Sequence, residues 1–328
     1  MNKKYIIMIV VGVLLVATFC FFKLKPTSLK QALKDVEDYK NYELVCNMEM
    51  LENDELKSYQ VTSTYASVDE TEYYKIELYD KSLNQSQVIV RNEKGVFVLT
   101  PALNQAFQFQ SEWPNNSPKP YIYQSLVSFL KDNKKEKVKD GYIVSGDISY
   151  ENDDRIKSQE VKFDKQLSPV YVNVYDEDGT EVIKVSITSF KANQKLSKDV
   201  FQQETIMKES KNQYNTTAAS LPLYPVALMG STLQNEKTST IDEITNHILK
   251  FTGDKSFTII ESSASSKEEI EVIKVNSEMI DLLNGFAYEE DNTMTYVSSG
   301  IVSSLYSNDL TKQEMLAVLS SMQAANVK

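Results

Sequence analysis

Acid–base or nucleophilic chemistry needs histidines, thiols or paired carboxylates at fixed spacings, and this chain offers few of them. His247 is its only histidine. It lies in an alternating run with Ile244, Asn246 and Ile248, which predicts a strand. A Ser-His-Asp relay needs that imidazole beside a nucleophile, and no G-x-S-x-G elbow occurs in the chain. The two cysteines are Cys20, inside an apolar N-terminal run, and Cys46, inside a predicted strand. They exclude a disulfide within the folded part, and Cys46 reads as a small buried hydrophobe. One histidine and two separated cysteines cannot assemble a zinc site. Asp176-Glu177-Asp178-Gly179 looks like the start of a calcium loop, yet its flanks read as strands, so a hairpin turn fits better. Glu289-Glu290-Asp291 also sits at a turn, and among 46 acids such neighbours arise by chance. No catalytic residue, metal or cofactor is therefore expected, and the chain does not read as an enzyme.

Binding remains. Between Asn92 and Tyr123 the chain carries its densest aromatic cluster. Val96–Leu99 follows the turn residues Asn92–Gly95, and Pro101 ends the run. Ala106–Gln110 then alternates with period two, so Phe107 and Phe109 share one face and Gln108 and Gln110 the other. Trp113, the only tryptophan, follows in a Pro/Asn-rich loop. Phe97, Leu99, Phe107, Phe109, Trp113, Tyr121 and Tyr123 are the candidate ligand- or partner-binding residues. Two readings stand for them: a packed core under a helix, or a hollow for an acyl chain or a partner segment.

The segment VLTPALNQAFQFQSEWP (98–114) resembles the LolA-like proteins of spore-forming Firmicutes, a likeness extending over roughly Lys30 to Lys191. The region after Leu221 resembles the small C-terminal domain of the sporulation-associated members. The resemblance implies an open half-barrel with helices over its mouth and work outside the cytoplasm. In carriers of this fold it implies a hollow that receives lipid. A clostridial member partners a spore-cortex amidase, so a protein partner such as a cortex hydrolase is implied as well. No single residue carries over as a lipid ligand.

The positioning elements follow from patterning. Thr27-Ser28 can cap a helix running through Leu29, Ala32, Leu33, Val36 and Tyr39. Closely spaced strands are expected at about 42–51, 56–66, 71–79, 86–92, 95–100 and 104–110, then a helix over Pro120–Lys131. More strands are expected at about 141–149, 156–164, 168–175 and 180–188. Turn residues at Glu52-Asn53-Asp54, Glu151–Asp154 and Asp176–Gly179 make the connections antiparallel. After a polar, partly helical linker come strands at about 241–251, 256–262 and 270–275. A hairpin of 293–298 and 301–307 turning at Ser299-Gly300, and a helix with Thr311 and Glu314 as a capping box, close the chain. The expected fold is mainly β, of the α+β class: a curved antiparallel half-barrel sheet with helices over its concave face, plus a small α+β C-terminal domain.

At 328 residues two domains fit. The expected divisions are an N-terminal anchor over 1–26, a half-barrel over 27–201, a linker over 202–220 and the small domain over 221–328. The uncharged run Tyr5–Phe22 would span roughly 27 Å as a helix. It can be read as a cleaved signal peptide, a lipoprotein signal through Cys20, or an uncleaved anchor. Phe19 is bulky where either processing route wants a small residue, which favours a single-pass anchor in the cell membrane through residues 5–22. An inside N-terminus and an extracytoplasmic body lean on the family resemblance. A net charge of −11 without a basic stripe argues against nucleic acid. The function expected is a non-catalytic, membrane-anchored, LolA-like protein that binds a protein partner or a lipidated ligand in sporulation or germination. The alternative is a lipid or lipoprotein carrier, or an envelope sensor, with an open apolar cavity.

Overall fold

A computed structural model describes residues 28–324, apart from 53–54, 115–116, 118, 151, 214–220, 242–243, 263–269 and 299. The expected anchor over 5–22 and Cys20 lie outside the described residues, as do parts of the turns expected at 52–54, 151–154 and 299–300. Among the described residues no helix is long and apolar enough to cross a membrane.

Ser28 caps the first helix, α1 (Leu29–Glu37), its Oγ accepting from the Gln31 N–H at 3.2 Å. Ala32 and Val36 form the buried stripe of α1. Six strands follow in a meander: β1 (Asn41–Glu52), β2 (Glu55–Val68), β3 (Thr71–Asp80), β4 (Gln85–Asn92), β5 (Gly95–Thr100) and β6 (Gln105–Phe109). The helix α2 (Tyr123–Asp132) leads into β7 (Lys134–Val138), β8 (Gly141–Asp147), β9 (Ser158–Asp164), β10 (Pro169–Tyr175) and β11 (Glu181–Ala192). Then come α3 (Gln203–Gln213), β12 (Leu223–Pro225), β13 (Ser231–Ile241), β14 (Ile244–Gly253), β15 (Phe257–Ser262) and β16 (Glu271–Val275). The chain finishes with β17 (Ile280–Asp281), β18 (Gly285–Glu290), β19 (Thr293–Ser298), β20 (Ile301–Tyr306), α4 (Lys312–Ser320) and β21 (Met322–Ala324). The fold is mainly β, as the sequence indicates.

The first sheet has 12 strands in the order β16-β6-β5-β4-β3-β2-β1-β11-β10-β9-β8-β7. Its inner face carries the largest apolar cluster, with α1 and α2 packed against it. The second sheet has seven strands, β13-β14-β15-β20-β19-β18-β17, and α4 covers its core. The capping box expected at α4 is present, with Thr311 Oγ1 accepting from the Glu314 N–H and Glu314 accepting from the Thr311 N–H.

Three features depart from the expected layout. Helix α2 starts at Tyr123 and not at Pro120, because the backbone is still extended at Ile122 (φ −99°, ψ 110°), while the side chains of Lys119 and Tyr121 reach to the C-terminal region. The linker is partly helical as expected, but its helix α3 packs on the body: Ile206 and Met207 join Phe201 in burying the other face of the first sheet. Strand β16 returns from the C-terminal region to pair in parallel with β6, Ile273 opposite Phe107 and Val275 opposite Phe109. The two expected domains thus share one sheet.

Candidate functional site

Register decides where the seven aromatic candidates go. In the β5–β6 ladder Val98 stands opposite Phe107 and Val96 opposite Phe109, while Phe97 faces Gln108 and Leu99 faces Ala106. Alternation then sends Phe107 and Phe109 to the inner face, and Phe97 and Leu99 to the face under Phe201 and Met207. Trp113, Tyr121 and Tyr123 join Phe107 and Phe109 on the inner side. All seven are buried.

The phenylalanine end of the hollow is filled from within the chain. Phe286 of β18 meets Phe107 and Phe109 edge-on, with ring centroids 5.6 Å and 5.3 Å away, and Tyr288 lies 6.0 Å and 5.8 Å from the same rings. Polar contacts seat the segment leading into β18. The Lys119 ammonium, almost fully buried, pairs with Asp281 at 2.8 Å and donates to the Leu282 carbonyl. Ser117 Oγ donates to the other Asp281 oxygen at 2.8 Å, and Tyr121 O–H to the Leu283 carbonyl at 2.8 Å. Burial lowers the Lys119 pKa, and Asp281 acts against that shift. Buried pairs of this kind set geometry more than they add stability.

The open part of the hollow lies at the helices. Between α1 and α2 a groove of about 280 Å³ is lined by Tyr39, Tyr42, Tyr65, Tyr123, Val127 and their neighbours. Tyr42 O–H donates to Gln124 Oε1 at 2.6 Å and accepts from the Tyr123 N–H at 3.3 Å. Tyr123 O–H donates to the Leu167 carbonyl at 2.8 Å. Burial raises the Tyr42 and Tyr123 pKa values, so both phenols stay neutral donors. On the other side of α2 a wider groove of about 670 Å³ runs past Tyr74, Pro114, Ile122, Phe129 and Ile148 to the polar side chains of Glu72, Asp132 and Gln159. The two grooves share Gln124 and Ser128. Of the aromatic candidates only Tyr123 lines either one, and Trp113 supports the wider groove by packing edge-on against Tyr74 at 6.3 Å. Tyr42, Tyr65, Gln124 and Gln159 were not singled out from sequence, and Tyr39 only as part of the first helix's apolar spacing. The high count of 19 tyrosines was the one signal pointing to the tyrosines, and nothing pointed to the glutamines.

Among the described residues, the remaining reactive groups are placed as follows. Burial pushes the Cys46 thiol up to about 12, which keeps it from forming a thiolate. His247 stands opposite Glu261 in the β14–β15 ladder, and Glu261 stands opposite Ser303 in the β15–β20 ladder. A relay needs the imidazole in the middle, and here the carboxyl holds that place. Among the described residues no three His, Cys, Asp or Glu side chains are grouped to hold a metal ion.

No family model matches the chain. It is 29% identical over 340 residues to the sporulation protein YdcC of Bacillus subtilis, covering 99% of both chains. Among solved structures it is similar to the Pseudomonas aeruginosa MucA/MucB complex, at 12% identity and a TM-score of 0.32, over 89% of this chain and 98% of that one. It is also similar to the Clostridioides difficile CwlD amidase–GerS lipoprotein complex, at 16% identity and a TM-score of 0.28, over 52% of this chain and 98% of that one. At these scores the structural likenesses carry no functional argument.

Proposed function

We infer that this chain, a full-length homologue of a Bacillus subtilis sporulation protein with a LolA-like fold, is a non-catalytic sporulation protein that binds a protein partner outside the cytoplasm. The similarity to a sporulation protein over 99% of both chains supports the sporulation part of this reading. The filling of the hollow favours a protein partner over a lipid cargo. A carrier needs an open apolar chamber, and here Phe107 and Phe109 are covered by Phe286 and Tyr288. The two grooves at the helices have mixed aromatic and polar walls, the chemistry of a protein interface. The apolar run over 5–22 is proposed as a membrane anchor, which suits a fixed binding protein better than a shuttle.

Affinity capture of the full-length chain from sporulating cells of its host tests the reading, with protein and lipid fractions both analysed. A stoichiometric protein partner is expected, and its recovery falls when Ser128 on α2 is replaced by Trp to block both grooves. Recovery of lipid with no protein would move the chain to the carrier or sensor class.

A further inference from the structure

We propose that the wider groove beside α2 is an acceptor-rich docking site for a basic, extended segment of the protein partner. The proposal rests on the protein-partner reading above and adds the chemistry of what docks. The groove of about 670 Å³ has an apolar floor, including Tyr74, Ile122 and Phe129. Two carboxylates, Glu72 and Asp132, stand on its wall, and no Lys or Arg is among its described lining residues. Of the cations nearby, Arg91 donates to the Glu112 and Trp113 carbonyls at 3.0 Å and 3.1 Å and pairs with Glu112 at 3.7 Å, and Lys131 pairs with Glu37 at 2.8 Å.

The second observation is Gln159. This side chain lines the groove and is only 3% exposed. Its Oε1 is buried with no hydrogen-bond partner. A buried acceptor left empty costs free energy unless something donates to it. The polar wall therefore offers the Glu72 and Asp132 carboxylates, and beneath its surface the Gln159 carbonyl, which a donor reaches once that side chain turns toward the groove. Lysine and arginine side chains answer that arrangement, with apolar stems for the aromatic floor and N–H donors for the oxygens. An acidic or purely apolar segment would leave Gln159 unpaired and bring carboxylates or bare methylenes against Glu72 and Asp132.

Fluorescence anisotropy tests this with the full-length chain in neutral detergent micelles. The probes are two fluorescein-labelled decapeptides, one alternating Lys and Thr and the other alternating Glu and Thr. Binding of the Lys peptide alone is expected. Glu72→Gln/Asp132→Asn should weaken it about fivefold, the effect of losing two partly exposed charge pairs. The control Glu177→Gln/Asp178→Asn removes two equally negative groups at an exposed turn and should leave binding unchanged. Gln159→Leu should weaken binding without lowering the melting temperature, since it removes an unpaired buried acceptor. Equal losses in the two charge doubles, or equal binding of the Glu peptide, would overturn the proposal. If affinity capture of the partner survives Glu72→Gln/Asp132→Asn while no Lys peptide binds, the groove assignment falls and the partner reading stands. If capture yields only lipid while the Lys peptide binds as expected, the partner reading falls and the groove keeps its chemistry.

Discussion

Glu261 shows how a single side chain can couple this molecule to pH. It is fully buried in β15, accepts from the Leu223 N–H at 2.9 Å, and lies 3.5 Å from Ser303 Oγ. Burial raises its pKa from 4.5 to about 8, the two hydrogen bonds opposing that shift and the Glu236 charge adding to it. The folded protein holds this proton where the unfolded chain has released it. The stabilising effect is complete below about pH 4.5 and is lost as pH rises through about 8. Chemical denaturation across that range should show stability falling with rising pH, and Glu261→Gln should flatten the decline. A wild-type profile that rises between those values, or an unchanged slope in Glu261→Gln, would contradict this account of the buried carboxyl. The importance of this residue was not legible in the sequence. Its partners Leu223 and Ser303 are 38 and 42 residues away, and a lone Glu in an alternating run looks solvated.

At the scale of elements, legibility followed periodicity. Strands β1, β3 and β6 largely alternate, β4 and β5 are almost continuously buried β-forming runs, and all were readable, as were the α1 stripe and the α4 capping box. Strand β13 was not, because Thr232 to Thr238 are exposed on both faces and leave no period to detect. Strand β7 was missed for a related reason: Lys134, Lys135 and Lys137 crowd an edge strand, where lysines discourage pairing with other chains. The face shared by Phe107 and Phe109 could be read within one strand. That Phe97 and Leu99 point the other way depends on cross-strand register, and that Phe286 covers Phe107 depends on a contact 179 residues long. Neither leaves a local signal. The C-terminal elements thus act as a plug for one end of the hollow. A chain ending at residue 220 should expose Phe107 and Phe109 and leave the β6 edge unpaired, because it lacks β16, Phe286 and Tyr288. It should bind the dye anilinonaphthalene sulfonate strongly and aggregate, whereas the full chain should do neither. A truncated chain as soluble and dye-silent as the whole would show that the plug is dispensable.

For the molecule as a whole, a hollow filled at its phenylalanine end and open grooves beside α2 suit the proposed binding role better than a carrier's. The acidic balance, −11 overall, suits a basic partner and keeps the surface away from nucleic acid and anionic lipid. The shared strand β16 and the Lys119–Asp281 contact tie the C-terminal region to the half-barrel, so the grooves sit on one continuous scaffold. The central claim is that a protein partner docks at the helices over the mouth. Site-specific photo-crosslinking in sporulating cells tests it most directly, with benzoylphenylalanine placed at the exposed Lys131 of α2, on the wall of the narrower groove, or at Ser186 on β11. The account predicts one discrete protein adduct from Lys131 and none from Ser186. Adducts from Ser186 alone, or only lipid adducts from Lys131, would contradict it.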